Sequence, residues 1–199
     1  LGDLRVHGDI LSLGIIAADE SQSQPRDILL AAGTASQIYA WELPEISLHK
    51  QAWMNSAHAS QCAWSSGHEG RITALVTVRG GWLASAGLDG QVRLHSLDKV
   101  RGIFHNKEKG GPQVVESEVC ASVDTSLLCM AFLPLGDTFT DKAGKAMGSL
   151  VCGTRDGFLH MVDLDSESRL RTSSFGPAFG LGNPVTSICS LNGGHVAVV

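Results

Sequence analysis

Residues 67–98 read GHEGRITALVTVRGGWLASAGLDGQVRLHSLD and contain three short segments in which apolar and polar residues alternate. Gly80-Gly81 separates the first two segments, and Asp89-Gly90 separates the second from the third. Alternation with a period of two is typical of half-buried strands. Asp-Gly is a strong signal for a tight hairpin turn, because glycine adopts positive φ at no steric cost. This stretch therefore predicts a meander of antiparallel strands.

Two further segments repeat the second half of this pattern without a gap. Residues 85–97, SAGLDGQVRLHSL, align with residues 152–164, CGTRDGFLHMVDL, and with residues 31–43, AAGTASQIYAWEL. The equivalent position in the third strand of the copies is occupied by Trp41, His95 and Val162. A unit that recurs along a chain indicates a repeat architecture in which each copy forms one supersecondary module. The sequence therefore predicts an all-β repeat fold.

The copies resemble WD40 repeats. In that family a Gly-His pair precedes the first strand, a Ser lies on the second strand, an Asp-Gly turn follows, and the third strand ends in Trp-Asp. Residues 67–98 carry this pattern at Gly67-His68, Ser85 and Asp89, although His95 stands where the family has Trp. The other two copies keep part of this pattern, including Trp41 and Asp156. The resemblance implies an all-β fold, a WD40-type β-propeller.

The resemblance covers nearly the whole chain and implies a partial propeller of about three blades plus the start of a fourth. The predicted blades are blade one at 7–55, blade two at 67–106, blade three at 122–174 and a truncated blade at 182–199. Strands in the first three positions of a blade are predicted at Ile10–Ile16, Asp27–Ala32, Gln37–Glu42 and Leu127–Pro134. Fourth, outer strands are predicted at Lys50–Met54 and Arg101–His105. Residues 106–125 are predicted to form a link on the top face, and its middle, 113–121, is a candidate for an additional strand. Because propellers close a ring of about four to eight blades, we expect a fragment of a longer protein, or alternatively a half-ring that another chain completes.

Ser, His and acidic residues in blade two are the components of nucleophilic catalysis. The resemblance implies instead a structural network of hydrogen bonds that ties the strands of a blade together. A buried polar network is stable only where its members satisfy one another. The residues assigned to this network are His68, Ser85, Asp89, His95, Asp156 and Trp41. We therefore predict no catalytic residues.

Composition disfavours several classes of function. The chain has 15 Lys and Arg against 20 Asp and Glu, so the clustered cations that bind nucleic acid are scarce. The 8 His and 5 Cys show no spacing typical of zinc sites, and no glycine cluster matches a phosphate-binding loop, which predicts neither metal nor cofactor. No apolar run reaches the roughly 18 residues of a membrane span. Widely spaced cysteines, odd in number, indicate a reducing compartment, so we expect an intracellular protein of the cytoplasm or nucleus.

Two faces of the predicted propeller are candidates for binding other proteins. In WD propellers the residue just before the turn acid is a frequent contact on the top face. The residues assigned to this surface are Thr34, Leu88 and Arg155, with Glu69 and Arg71 beside them. The bottom face has two polar inserts, at 17–26 and 135–147. The top face is favoured because interface centres are enriched in apolar and Arg contacts.

The function that these observations predict is a non-enzymatic scaffold for protein–protein interactions within an intracellular multiprotein complex. One alternative is a subunit of a ribosome-assembly complex, because the motif order from 38–43 to 184–188 resembles the WD-repeat subunit of the nucleolar complex that matures large ribosomal subunit precursors. Another is a propeller enzyme with its site at the channel mouth. The Trp-Asp-x-Arg motif of WD receptors of cullin-RING ubiquitin ligases is missing, since Pro44, Asp98 and Asp165 replace its Arg.

Overall fold

The computed structural model describes residues 8–17, 27–43, 61–78, 81–105, 115–134, 148–164, 171–177, 182–191 and 195–199. The first sheet consists of β1 (Ile10–Ile16), β2 (Ile28–Gly33), β3 (Gln37–Glu42) and β4 (Gln61–Ser65). The second consists of β5 (Ile72–Val78), β6 (Trp82–Gly87), β7 (Gln91–Ser96) and β8 (Ser117–Ser122), with the helix α1 (Leu97–His105) between β7 and β8. The third consists of β9 (Leu127–Pro134), β10 (Gly148–Thr154), β11 (Phe158–Leu164) and β12 (Arg171–Pro177). A two-stranded sheet follows, with β13 (Ile188–Leu191) and β14 (His195–Val198).

Each four-stranded sheet is an antiparallel meander in which every strand pairs with the next one along the chain. The registers of the three sheets are equivalent. The cross-strand pairs at the third-strand position are Leu29 with Trp41, Leu83 with His95, and Leu150 with Val162. The gapless alignment of the three sequence copies is thus reproduced in the strand pairing, and the prediction of an all-β blade repeat is confirmed.

The hairpin turns after the second strands form where the sequence places Asp-Gly. Gly90 has φ 73° and Gly157 has φ 87°, values that side chains with a Cβ rarely adopt. The Gly90 amide donates to the Gly87 carbonyl at 3.2 Å, which closes the turn. The turn glycines therefore fix where β7 and β11 begin.

Successive sheets pack face to face, with their first strands next to one another. The Leu75 amide on β5 donates to Ser12 Oγ on β1 at 2.9 Å. Thr73 Oγ1 on β5 donates to the Leu127 carbonyl at the start of β9, at 2.8 Å. Two apolar clusters fill the spaces between the first and second sheets and between the second and third sheets. This arrangement makes β1, β5, β9 and β13 the inner strands of a radial stack.

The outward face of the first sheet is different, because Leu11, Leu13 and Ile15 of β1 are exposed there. Leu75, which stands in the equivalent place to Leu13 on β5, is buried against the first sheet. The exposed face of β1 is therefore the side on which a further sheet packs in a propeller.

Helix α1 is a structural feature that the sequence prediction assigned wrongly, since Arg101–His105 was predicted as an outer strand. Leu97, Val100, Ile103 and Phe104 are apolar at helical spacing, and all four are buried in the cluster between the first and second sheets. Arg101 Nη2 donates to the Ala17 carbonyl at the end of β1, at 3.0 Å. The helix is thus held against both sheets.

The outer strands of the first two sheets also differ from the prediction. Residues 50–54, predicted as the outer strand of blade one, lie outside the described residues, and β4 provides the fourth strand of that sheet instead. In the second sheet β8 is the fourth strand, and it overlaps the additional strand predicted at 113–121 within the link at 106–125. The predicted ends of blades one and two, at 55 and 106, are therefore too early. An outer strand pairs along one edge only, and β8 is half exposed with Ala121 as its one buried residue, so its sequence lacks a clear alternation.

The strand order separates the connections into two ends. We define the top end as the one with the hairpin turns at 34–36, 88–90 and 155–157, together with the links between sheets. The bottom end holds the connections from the first strand to the second and from the third to the fourth. The described ends of β1, β2, β9 and β10 that flank 18–26 and 135–147 lie at this end, and those two segments, which hold the predicted inserts, lie outside the described residues. The top end is therefore built from short connections between rigid strands.

Candidate functional site

A chain of side-chain hydrogen bonds runs from the top end of the second sheet into its interior. Both carboxylate oxygens of Asp89 lie 3.0 Å from Nδ1 of His68. Nε2 of His68 lies 2.9 Å from Oγ of Ser85, and this oxygen lies 2.9 Å from Nε2 of His95. The structure thus brings together four of the residues singled out in the sequence.

The protons in this chain can be assigned because each contact needs one hydrogen. An ionised carboxylate only accepts, so Nδ1–H of His68 donates to Asp89 and Nε2 of His68 is an acceptor. The Ser85 hydroxyl donates to that Nε2. Its oxygen then accepts from Nε2–H of His95, so two neutral imidazoles complete every contact of the chain.

The electrostatics agree with neutral rings. Burial lowers the pKa of His68, and the hydrogen bond that His68 donates to Asp89, together with the charge of that carboxylate, offsets this only in part. Burial also lowers the pKa of His95 to about 3, with His68 and Arg93 adding to the effect. The contact between His68 and Asp89 is therefore a hydrogen bond to a carboxylate rather than an ion pair.

Asp89 is held in its charged form by several donors. Burial alone raises the pKa of its carboxyl, but hydrogen bonds from the Gln91 amide, the Glu69 amide and His68 lower it below the usual value overall. The two amides lie 3.1 and 3.0 Å from the carboxylate oxygens. The acid thereby links the residue after the Gly-His pair, the hairpin turn and the start of β7.

The chemical capacity of this chain is limited by burial. Ser85 has 0% of its surface exposed, and His68 has 5%. The order of carboxylate, imidazole and hydroxyl matches that of a catalytic triad, yet a hydroxyl without accessible surface cannot attack a substrate that arrives from solution. Both the hydrogen and the oxygen of this hydroxyl are already used within the chain.

The equivalent positions of the neighbouring sheets hold apolar residues. In the third sheet they are Val123, Cys152 and Val162, of which Cys152 and Val162 are buried in the cluster between sheets. In the first sheet they include Ala31, opposite Ser85 in the alignment. Among the described sheets, the complete chain of hydrogen bonds therefore occurs in the second alone.

The two other predicted network members, Trp41 and Asp156, lie in different sheets and do not join this chain. Trp41 stacks on Tyr39 with ring centroids 6.2 Å apart, and its buried indole Nε1 has no hydrogen-bond partner among the described residues. Asp156 accepts a hydrogen bond from Thr154 Oγ1, which itself accepts from the Phe158 amide at 2.9 Å. Thr154 is fully buried and was missed in the sequence, where its place two residues before Asp156 in the turn was the available signal.

Trp64 supplies an aromatic contact to His95 from the neighbouring sheet. Their ring centroids lie 6.3 Å apart at an interplanar angle of 68°. Trp64 Nε1 and His95 Nδ1 are both buried without a hydrogen-bond partner in the part of the chain that the structure describes. The contact crosses from β4 to β7 and was not foreseen from sequence.

The residues assigned to partner binding lie at the top end, as the turn positions require. Three of them occupy equivalent places. Each donates its amide hydrogen, at 3.0 Å, to the carbonyl of the residue just before the first strand of a sheet. These bonds join Thr34 to Asp9, Leu88 to Arg71, and Arg155 to Ser126. Thr34 is the least available of the set, since its hydroxyl accepts from the Asp9 amide at 2.8 Å.

The side chains around Leu88 are open to solvent. Leu88 is 37% exposed and is the exposed large apolar residue of the hairpin turns at the top end. Glu69, Arg71 and Arg155 are exposed as well. The top end therefore offers an apolar contact within a charged surface.

The inner strands border an open concavity of ≈ 450 Å³ on the side of the propeller axis. Its lining groups are apolar side chains, hydroxyls and one thiol, from Val76, Thr77, Met130, Ala131, Phe132, Pro134, Ile188, Cys189 and Ser190. Among the described residues no group of three or more His, Cys, Asp and Glu is placed to hold a metal ion. Nor do these residues include a helix with the length and apolar character needed to cross a membrane.

Comparison with known proteins identifies the fold. No protein-family model matches the chain, and no curated protein matches it. Among solved structures it is similar to the WD40 β-propeller domain of Doa1, with 14% identity, a TM-score of 0.52, and coverage of 95% of this chain and 47% of that chain. It is also similar to the β-propeller domain of Cps50 (Swd1) from Myceliophteria thermophila, with 15% identity, a TM-score of 0.55, and coverage of 98% and 50%. The fold is a WD40-type β-propeller. This chain spans about half the length of these two domains.

Proposed function

We propose that this propeller is a non-enzymatic scaffold that binds other proteins through its top end, within an intracellular multiprotein complex. The observation that carries the proposal is the exposed set formed by Leu88, Glu69, Arg71 and Arg155 on short, hydrogen-bonded connections. Interface centres are enriched in apolar and Arg contacts. Rigid turns also reduce the entropy lost when a partner binds.

In this proposal the hydrogen-bond chain of blade two is structural. His68, Ser85, Asp89 and His95 join the link before β5, the strand β6, the hairpin turn and the strand β7. The chain thus contributes to the stability of blade two. The complete burial of Ser85 supports this role over nucleophilic catalysis.

Two other assignments have weaker support. A propeller enzyme needs convergent acid or base groups at the channel mouth, and the concavity beside the axis has apolar, hydroxyl and thiol groups there. A role in ribosome assembly rests on the resemblance of motif order alone. The intracellular location is supported by five cysteines that are all free thiols.

The test compares partner capture by four forms of the full-length protein, with cross-linking and mass spectrometry as the readout. One form carries Arg71→Glu and Arg155→Glu, and a second has each insert, 17–26 and 135–147, replaced by a short Gly-Ser turn. Lys99→Glu, a charge reversal on α1 at the bottom end that also breaks the ion pair of Lys99 with Glu116 at 2.6 Å, is the control for a change of charge away from the top end. We expect the double reversal to weaken capture, and the insert replacement and the control to leave it unchanged. The opposite pattern assigns the binding site to the bottom end.

A further inference from the structure

We propose that the top end at the junction of blades two and three binds a protein segment in which an apolar side chain is flanked by carboxylates. The inference rests on the proposed function, because it names the chemistry of the partner at the same surface. The apolar side chain contacts Leu88, and the carboxylates pair with Arg71 and Arg155.

The positions of these three residues are fixed by a continuous series of hydrogen bonds to the backbone. The Leu88 amide donates to the Arg71 carbonyl at 3.0 Å. The Leu88 carbonyl accepts from Ser126 Oγ at 3.0 Å, and the Ser126 carbonyl accepts from the Arg155 amide at 3.0 Å. Leu88 therefore stands between two arginines, one from the link that precedes its own blade's first strand and one from the turn of the next blade.

The two guanidinium groups are available for a partner. Arg71 and Arg155 are exposed, and in the described part of the chain neither side chain has a hydrogen-bond or ion-pair partner. Arg93 and Arg101, in contrast, are engaged: Arg93 donates to Gln91 and to Ser117, at 3.0 and 3.2 Å, and Arg101 to the Ala17 carbonyl at 3.0 Å. An arginine presents a planar fork of donors that matches a carboxylate in a bidentate geometry.

The acids of the same surface decide between a peptide and a polyanion. Glu69, Asp124 and Asp156 are exposed at the top end beside the two arginines. A nucleic-acid backbone carries closely spaced negative charges and binds to clustered cations, and two arginines interspersed with three acids do not form such a cluster. A peptide can place single carboxylates at the arginines and keep the remaining positions neutral or basic, which makes it the occupant that this charge pattern favours.

The probe is a set of short synthetic peptides with a central Leu, measured by fluorescence anisotropy against the full-length protein. In one peptide Glu flanks the Leu on both sides, and in three others Gln replaces both Glu, Lys replaces both Glu, or Ser replaces the Leu. A labelled single-stranded RNA oligonucleotide completes the set. We expect the Glu peptide to bind best and the Gln and Ser peptides to bind about tenfold more weakly, which corresponds to about 1.4 kcal/mol for each. Binding of the Glu peptide should weaken as salt concentration rises.

Variants assign the effect to this surface. Arg71→Glu and Arg155→Glu should each weaken the Glu peptide about tenfold, and Leu88→Ser should remove the preference for Leu over Ser at the centre. Lys99→Glu should have no effect. All three top-end side chains are exposed, so circular dichroism and the melting temperature should be unchanged.

The inference is overturned if the Gln or Lys peptide binds as well as the Glu peptide, or if the RNA binds more tightly than any peptide. The same holds if the peptide preference persists in the two arginine variants. If these variants still lose partner capture in the cross-linking experiment, only the chemistry assigned to the partner is wrong and the scaffold function stands. If capture is also unaffected, the proposed function falls as well.

Discussion

Replacement of His95 by Phe tests whether this buried ring is kept neutral by its surroundings. In the folded protein His95 is completely buried and donates through Nε2 to Ser85. Phe loses that hydrogen bond, worth about 1 kcal/mol, but it also removes Nδ1, a buried atom without a partner among the described residues. Near pH 7 these effects oppose each other, so we expect a net change in unfolding free energy below about 1 kcal/mol.

The pH dependence of stability should change much more. Burial lowers the pKa of His95 to about 3 in the folded protein, whereas an unfolded chain has the ordinary value of about 6.5. A lowered folded pKa gives stability that is present above the unfolded value and is lost as pH falls toward the folded value, because the unfolded chain then binds more protons. Between about pH 7 and about pH 5 the integrated loss from this one group is about 2 kcal/mol.

The assay is urea unfolding at about pH 7 and about pH 5, followed by tryptophan fluorescence and extrapolated linearly. The wild-type protein should lose about 2 kcal/mol more than His95→Phe over this range. His195→Gln, a substitution of an exposed histidine outside the second sheet, is measured as the control. Equal losses in the wild type and His95→Phe would refute the assignment of His95 as a neutral, desolvated ring.

Three further predictions use the same structure. Asp89→Ala should lower the unfolding free energy by about 1 to 3 kcal/mol, while partner capture below the new melting temperature survives; lost capture at unchanged stability would contradict the structural role. Gly153→Ala should cost about 1 to 3 kcal/mol in denaturant, because its Cβ falls 2.5 Å from Val185 Cγ1, and unchanged stability would show that this packing relaxes freely. In iodoacetamide labelling, the exposed Cys189 should react first. Cys120 should react only after unfolding, because burial raises its pKa to about 12. The reverse order, resolved by peptide mass spectrometry, would contradict the placement of β8.

Strands in the first three positions of a sheet could be predicted from sequence because their signals are local. β1, β3 and β9 begin and end at the predicted residues, since apolar alternation and an adjoining turn define each of them. The outer strands could not be predicted in the same way. A strand such as β8 is half exposed and is set by which edge remains free, which depends on the assembled sheet rather than on its own residues.

Helix α1 carried a usable signal that the propeller pattern obscured. Leu97, Val100, Ile103 and Phe104 have the spacing of one helical face, but a fourth strand was expected at this point and Gly102 interrupts the segment. The residues of the hydrogen-bond chain could be predicted, because Gly-His, Ser and the turn acid stand at positions of the WD40 pattern. Its proton arrangement and burial required coordinates.

The contact between Trp64 and His95 shows how the second blade accommodates its departure from the WD40 pattern. The family places Trp at the position of His95, where an indole N–H can donate toward the Ser of the second strand. His95 keeps that donor in Nε2–H, at 2.9 Å from Ser85 Oγ, but its ring is smaller. Trp64 lies edge-on to this ring from the preceding blade, so aromatic volume is supplied across the blade interface rather than within the blade. Because the packing of His95 then depends on the neighbouring sheet, the hydrogen-bond chain of blade two and the seam between blades one and two should respond together to a change at either ring.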